Sequence, residues 1–361
     1  MNDSAETGFP LDALIGRIAT GPKLSKPLDR DQAAAGMRAI LEGSAHPVQA
    51  AIFLIALRMK RETDDENLGL LDALLAASHR ARADVPLVVD VSEPYDGFAR
   101  QLLVTPFLPA VLAACGVPAV SHGVWSTAPK HGLTHARVLA AAGVTVDRPP
   151  AEVAARLTDP RIGWGYVDQS RYCPALHGLG ELRRLMVKRT ALSTLERVLA
   201  PIRARGRTHL LAGYVHTAYP RVYAILAAAA GHDSALLVRG GEGGVVPALN
   251  QDGVAWRWDG RDAPERLTLS PLAAGVDQDL RAAPAPAACS DAADAGAAAT
   301  AAIGLATLEG APGPARDALV YGAASCLVDV GCAPDLRAAA DQVRRCIDDG
   351  AARARFEAGR G

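Results

Sequence analysis

Apolar residues recur at helical spacing from Pro10 to about residue 82, then change to short uninterrupted runs separated by Ala-rich stretches. In the first part Leu11, Leu14, Ile15 and Ile18 share one face of a short helix. Asp29 or Asp31 caps a second helix that runs through Leu41 and stops at Gly43. HPVQAAIFLIALRMK is apolar almost all round, so a third helix is predicted to lie buried in a helical unit. Thr63 followed by Glu66 is a capping-box pattern for a fourth helix reaching Arg82. From Asp84 the apolar runs are Leu87–Val91, Pro118–Val120, Gly163–Val167, His209–Val215 and Ala235–Arg239. Strands alternating with helices predict right-handed crossovers and a mostly parallel sheet. Trp256 and Trp258 mark a late hairpin turning near Asp259-Gly260. The low-complexity stretch from about 281 to 300 reads as a loop leading into a helix or as a linker. Two helices around the Gly331–Pro334 turn close the chain. The fold class is therefore α/β: a small all-helical domain (1–82) and a larger α/β domain (83–361).

Composition narrows this picture only a little. Half of the 361 residues are apolar and 4% are aromatic, which favours close-packed helices over a β-sandwich. No apolar run approaches the roughly 20 residues that a membrane span needs. The polar start, MNDSAETGFP, is unlike a signal peptide, and the six Cys show no CxxC spacing. Cys115, Cys326 and Cys346 fall on apolar faces and read as buried thiols of a reducing, cytoplasmic compartment. A net charge of −1 argues against a whole-molecule grip on nucleic acid but leaves room for a local basic groove.

The candidate chemistry sits in four stretches. In open α/β sheets ligands bind beyond the carboxyl ends of strands, and two polar loops lie there. SEPYDG carries Glu93, Tyr95, Asp96 and Gly97. It is either an ordinary Asp-Gly turn or an anion loop opposed by its own acids. SHGVWSTAPKHG and the residues after it hold His122, Gly123, Lys130, His131, Gly132, Thr134 and His135. Lys130 and Thr134 suit a phosphate, and His122 suits an acid, a base or a hydrogen-bond donor. The His spacing matches no standard zinc pattern. RYCPALHGLGELRRLMVKRT supplies Arg171, Arg183, Arg184, Lys188 and Arg189. Arg183 and Arg184 point about 100° apart on a helix, so at most one faces a cleft. That one suits a carboxylate or phosphate, unless the helix face is merely solvated. VRGGEGGVV places Glu242 among four glycines after a strand, a backbone that approaches something closely. It matches neither a GxxxxGK nor a GxGxxG pattern.

Together these stretches resemble the anthranilate phosphoribosyltransferase family, glycosyltransferase family three, to which the pyrimidine nucleoside phosphorylases are related. ILEGSAHPVQAAIFLIALRMK is similar to its helical domain, GELRRLMVKRT to its aromatic-acid site, and LEGAPGPARDALVYGAASCLVDVG to its closing helices. The resemblance implies a homodimer joined through the helical domain and a site between the two domains. It also assigns residues. The family's pyrophosphate loop GTGGD falls on Ser92, Glu93, Pro94, Tyr95 and Asp96, keeping only the Asp. Its Asn falls on Leu102, and its Ser-Thr on Val104-Thr105. KHGN becomes Ser121, His122, Gly123 and Val124. The Arg that holds the acceptor's carboxylate falls on Arg183. The magnesium-binding Asp-Glu pair falls on Val245 and Val246, which cannot ligate a hard cation. A branch of the family that has lost the same motifs binds nucleic acid, and its first loop has a similar YDG form.

Two functions follow from the resemblance. One is a diverged transferase moving a pentosyl or phosphoribosyl group to an acidic or aromatic acceptor, with no catalytic residue assigned. Asp96, Gly97, Thr105, His122, Gly123, Lys130, His131, Gly132, Thr134, Arg171, Arg183 and Glu242 would line its site. Magnesium is then expected only if other carboxylates replace the lost pair. The other is a non-catalytic binder of a phosphorylated small molecule or single-stranded nucleic acid. Arg171, Arg183, Arg184, Lys188 and Arg189 would form its basic surface, and Tyr172 or Trp125 would stack a base.

Overall fold

The computed structural model describes residues 10–21, 23–286 and 293–361. Cys289 lies outside them, as do residues 287–292 of the low-complexity stretch; the described part of that stretch enters a helix, Ala293–Leu308.

Four helices, Leu11–Ile18, Arg30–Leu41, Pro47–Lys60 and Asp64–Ala76, make the N-terminal bundle. Asp29, not Asp31, caps the second, in a capping box with Gln32. The Thr63–Glu66 box is present and does more than cap. The buried Glu66 carboxylate also accepts from the Leu28 amide at 2.9 Å and from Lys60 Nζ at 2.7 Å, tying the third and fourth helices to the segment that leads into the second. Two expectations are corrected here. The fourth helix ends at Ala76, and Ala81–Ala83 instead forms a short strand, β1, beside Ile202–Ala204. The third helix is not buried all round. Val48, Ile52 and Met59 are exposed, and at 100° per residue they fall on one stripe.

The main sheet has seven strands in the order β4-β3-β2-β6-β7-β8-β9. They are β2 (Leu87–Ser92), β3 (Ala119–Gly123), β4 (Trp164–Asp168), β6 (Arg207–Gly213), β7 (Ser234–Val238), β8 (Gly253–Trp258) and β9 (Glu265–Leu269); β5 is Ile202–Ala204 in the small sheet. The first five in that order are parallel, and β7-β8-β9 are antiparallel, with the hairpin turning at Asp259-Gly260 as predicted. Strands buried on both faces read as unbroken apolar runs, which is why the sequence pattern located them. One face packs on the closing helices and the other on the N-terminal bundle, so the bundle and the sheet share an apolar core. The chain closes with three helices rather than two, Pro314–Asp329, Leu336–Asp348 and Ala351–Ala358. Gly350, at φ 79°, breaks the last two apart. Cys326 is buried as expected, whereas Cys115 and Cys346 are only half-buried.

Parallel strands end on the same edge of the sheet. The loops after β2, β3, β6 and β7 therefore converge. Strand order reverses between β2 and β6, the place where open α/β sheets form a crevice.

Candidate functional site

The deepest layer is a buried polar chain along β2 and β3. Asp90, with no exposed surface, has His122 Nε2 at 2.9 Å on one carboxylate oxygen and His232 Nε2 at 2.9 Å on the other. Burial alone would raise its pKa, but the two imidazoles outweigh it and hold the carboxyl well below the usual range. The other nitrogen of His122 meets the Tyr95 hydroxyl, which in turn lies 2.5 Å from the Tyr172 hydroxyl. Burial pushes both phenols up, so they stay neutral. Asp90, His232 and the Tyr95–Tyr172 contact were not read from the sequence as parts of a site. The available signal was a single acid inside the apolar strand LVVDVS, because a buried charge demands partners.

Above it lies Glu93, 4% exposed. Its carboxylate accepts from Thr105 Oγ1 at 2.5 Å, His135 Nε2 at 2.9 Å and the Val245 amide at 2.9 Å. Burial would raise this pKa too, but His135, Thr105 and the amide together lower it.

At the mouth the first two loops zip together. Phe98 and Leu133 exchange both backbone hydrogen bonds at 2.8 Å. Gly97, at φ 80°, and Gly132 permit this approach. A Cβ on Gly97 would sit 2.5 Å from the Leu133 carbonyl oxygen, and one on Gly132 would sit 2.7 Å from the Phe98 carbonyl oxygen. Asp96 accepts from Arg189 Nε at 3.1 Å. Lys130 Nζ lies 3.5 Å from both Asp96 and Glu242. Glu242 accepts from the amide of Arg100 at 2.8 Å and that of Ala99 at 3.2 Å, pinning the glycine loop onto the first loop.

The remaining predicted residues fall elsewhere. Gly123 ends β3 below the loop. His131 is exposed and touches Ser126. Thr134 caps the helix His135–Ala141. Arg171 reaches out to the Asp147 carbonyl at 2.6 Å and is not brought to the cluster. Arg183 is buried in a bidentate pair with Glu196, at 2.6 and 2.9 Å, and Glu196 also accepts from Gln169. Arg184 is exposed and pairs with Glu181. The two arginines thus diverge as helical geometry demands, but the inward one meets a carboxylate of the protein. Tyr172 has no exposed surface to offer a base, whereas Trp125 is 47% exposed under the Arg137 guanidinium. Sequence reading also missed Arg197. It is buried, donates to the Ser92 carbonyl at 2.7 Å and stacks on Tyr223 at the crevice between β2 and β6.

The donor set does not fit a magnesium ion. Val245 is buried and Val246 is apolar, while Glu93, Asp96 and Glu242 are each held by protein donors. Among the described residues no three His, Cys, Asp or Glu converge as a metal site.

A helical bundle packed beside a sheet of this order matches a known pair of domains. The glycosyl transferase family helical bundle domain matches residues 13–78, and the glycosyl transferase family a/b domain matches residues 100–353. The chain belongs to this glycosyl transferase family. It resembles the anthranilate phosphoribosyltransferases along nearly its whole length. It is 32% identical over 343 residues to that of Anaeromyxobacter sp. (strain K), covering 94% of each chain. It is 31% identical to that of Thermomicrobium roseum, covering 95% of each. In fold it matches the anthranilate phosphoribosyltransferase of Thermus thermophilus with a TM-score of 0.75 at 22% identity, covering 97% of each chain. It also matches the Saccharomyces cerevisiae enzyme in complex with PRPP and Mg, with a TM-score of 0.77 at 16% identity, covering 97% of this chain and 96% of that one.

Proposed function

We propose that this family member is a non-catalytic binder of single-stranded nucleic acid and does not perform magnesium-dependent phosphoribosyl transfer. The observation that carries the reading is the cleft between the helical bundle and the larger domain. It is open, about 950 Å³ including its mouth, and is lined by Arg58, Arg61, Glu62, Asn67, Thr190 and Tyr219, with Glu62 3.6 Å from Arg58 and Arg61 the cation without an acid partner among the described residues. The exposed Lys188 leads into it at Thr190, beside Arg189, whose guanidinium is paired with Asp96. Cations beside a half-buried tyrosine suit a phosphate backbone and a stacked base. The donor half supports the same reading, since Asp96, Lys130, Arg189 and Glu242 are paired with one another, whereas Arg61 in this cleft has no acid partner among the described residues.

The test is a titration with a short oligothymidylate at low salt. Binding is expected to weaken steeply as salt rises, and R58A/R61A is expected to weaken it and flatten the salt slope by about two. No binding at low salt, or binding indifferent to salt, would sink the reading. A second reading, a pentosyl- or phosphoribosyltransferase with a changed donor, is favoured by the identity to anthranilate phosphoribosyltransferases over 94% of the chain. Heat on titrating phosphoribosyl pyrophosphate with magnesium, absent without it, would revive that reading.

The same proposal takes the N-terminal bundle, whose last helix ends at Ala76, as a domain and the chain as a cytoplasmic homodimer joined through it. The stripe of Val48, Ile52 and Met59 supports this, because exposed apolar stripes mark partner surfaces. I52D/M59D is expected to halve the mass measured by light scattering while leaving the circular dichroism spectrum unchanged. A chain that is already monomeric refutes the dimer.

A further inference from the structure

We propose that Cys115 and Cys346 form a reactive dithiol, a modification site that closes to an intramolecular disulfide when it meets a small disulfide of the oxidised-glutathione class. The two lie far apart in the chain but meet in the fold. Cys115 ends the helix Leu108–Ala114, and Cys346 lies in the last turn of the helix Leu336–Asp348. Two hydrogen bonds join these helices at that point. Gln342 Nε2 donates to the Cys115 carbonyl at 3.2 Å, and Cys346 Sγ donates to the Ala114 carbonyl at 3.5 Å. Gln342 and Cys346 are one helical turn apart, so both face the end of the shorter helix. The Cys346 thiol is thereby brought into hydrogen-bond contact with that of Cys115. A disulfide closes without backbone movement only between cysteines that are already neighbours, and these two are.

Accessibility sets this pair apart from the other described cysteines. Cys173 and Cys326 are buried, and Cys332 is exposed in the turn before Leu336. Cys115 and Cys346 are both half-buried, open to a small reagent yet fixed by packing. Beside them Gly116 is exposed, with nothing within 4 Å of where a Cβ would stand, so the pair has solvent on one side. Burial, reinforced by the neighbouring Cys346, pushes the Cys115 thiol up, so Cys115 rests protonated and reacts second. Cys346, as its thiolate, attacks one sulfur of the small disulfide, breaks its S–S bond and expels the other half as a thiolate. Cys115 then gives its proton to solvent and attacks the Cys346 sulfur, expelling the second half. The protein loses two electrons and two protons, and the small disulfide leaves as two thiols. Excess thiol reverses both steps, as it does for redox-sensing disulfides. The inference does not depend on nucleic-acid binding, which is proposed for a cleft that contains neither cysteine.

The experiment incubates the folded full-length protein with oxidised glutathione and alkylates the remaining thiols. The cysteines in the monomer band of a non-reducing gel are then mapped by mass spectrometry. The wild type is expected to give a peptide linking Cys115 to Cys346, which disappears on adding dithiothreitol. C115S, which lacks the second nucleophile, is expected to hold several-fold more glutathione on Cys346 than the wild type does. The exposed Cys332 reports that the reagent has acted. A wild type in which Cys115 and Cys346 are both alkylated while Cys332 carries glutathione overturns the proposal. So does glutathione that stays on Cys346 equally in wild type and C115S, or a linked peptide that joins either cysteine to a different one. The wild-type map decides by itself if C115S does not fold: the Cys115–Cys346 peptide supports the proposal, and its absence overturns it.

Discussion

Replacing Arg183 with Met is expected to cost about 3–5 kcal/mol of stability, because it strands the Glu196 carboxylate inside the protein. Glu196 is 1% exposed and would keep only Gln169, at 3.2 Å. The burial of Arg183 opposes its charge, but Glu196 more than offsets this and raises its pKa, so the buried guanidinium stays charged. Removing both charges together avoids the stranded ion. R183M/E196L is therefore expected to recover most of the loss, giving a large coupling energy in the double-mutant cycle. Denaturant unfolding of the four proteins measures it. Additive single losses would mean that Arg183 and Glu196 do not depend on each other and would return Arg183 to the role that resemblance assigns it, holding an acceptor's carboxylate. With the pair intact, Arg183 anchors the helix Gly180–Met186 against the segment around Glu196.

The second large effect is expected at Asp90. Asn in its place has one acceptor oxygen for two imidazoles, so one buried ring faces an amide N–H. The loss is about 1–3 kcal/mol if that ring is neutral and more if it is charged. The pH dependence separates this from simple mispacking. The carboxyl's pKa is lower in the folded chain than in the unfolded one, so its contribution is complete above an unfolded value of about 3.9. It is lost as pH falls from there toward the folded value. The stability gap between wild type and D90N is therefore expected to be widest near neutral pH and to shrink below about pH 4. Urea unfolding at a series of pH values reads it directly. A gap that stays constant down to that range would show that Asp90 matters by shape and not by charge.

These two positions mark the boundary of what the linear pattern reveals. Spacing on a helix is enough to say that Arg183 and Arg184 diverge. It cannot say what the inward one meets, because Glu196 reaches it from beyond the helix, 13 residues on. Likewise, the lone Asp in LVVDVS signals a buried charge, but its partner His232 lies 142 residues away, next to the strand only because β6 and β7 lie beside β2. The third helix shows the opposite error. Its apolar composition suits burial on any side, and only the packing of its neighbours leaves Val48, Ile52 and Met59 in solvent.

By itself the sequence determined the alternation of strands and helices, the capping box at Thr63 and the late hairpin, while the loss of oxygen ligands at Val245 and Val246 followed only from resemblance to the family. The first three are a matter of residue type and short-range periodicity, which local physics makes legible. The tertiary structure alone decided which charges are already spent. It set Glu93 on Thr105, His135 and the Val245 amide, Asp96 on Arg189 and Lys130, and Arg183 on Glu196. A side chain's chemistry is local, whereas its partners are chosen by contacts far along the chain. A site's residues can therefore be named from sequence while their availability to a ligand cannot.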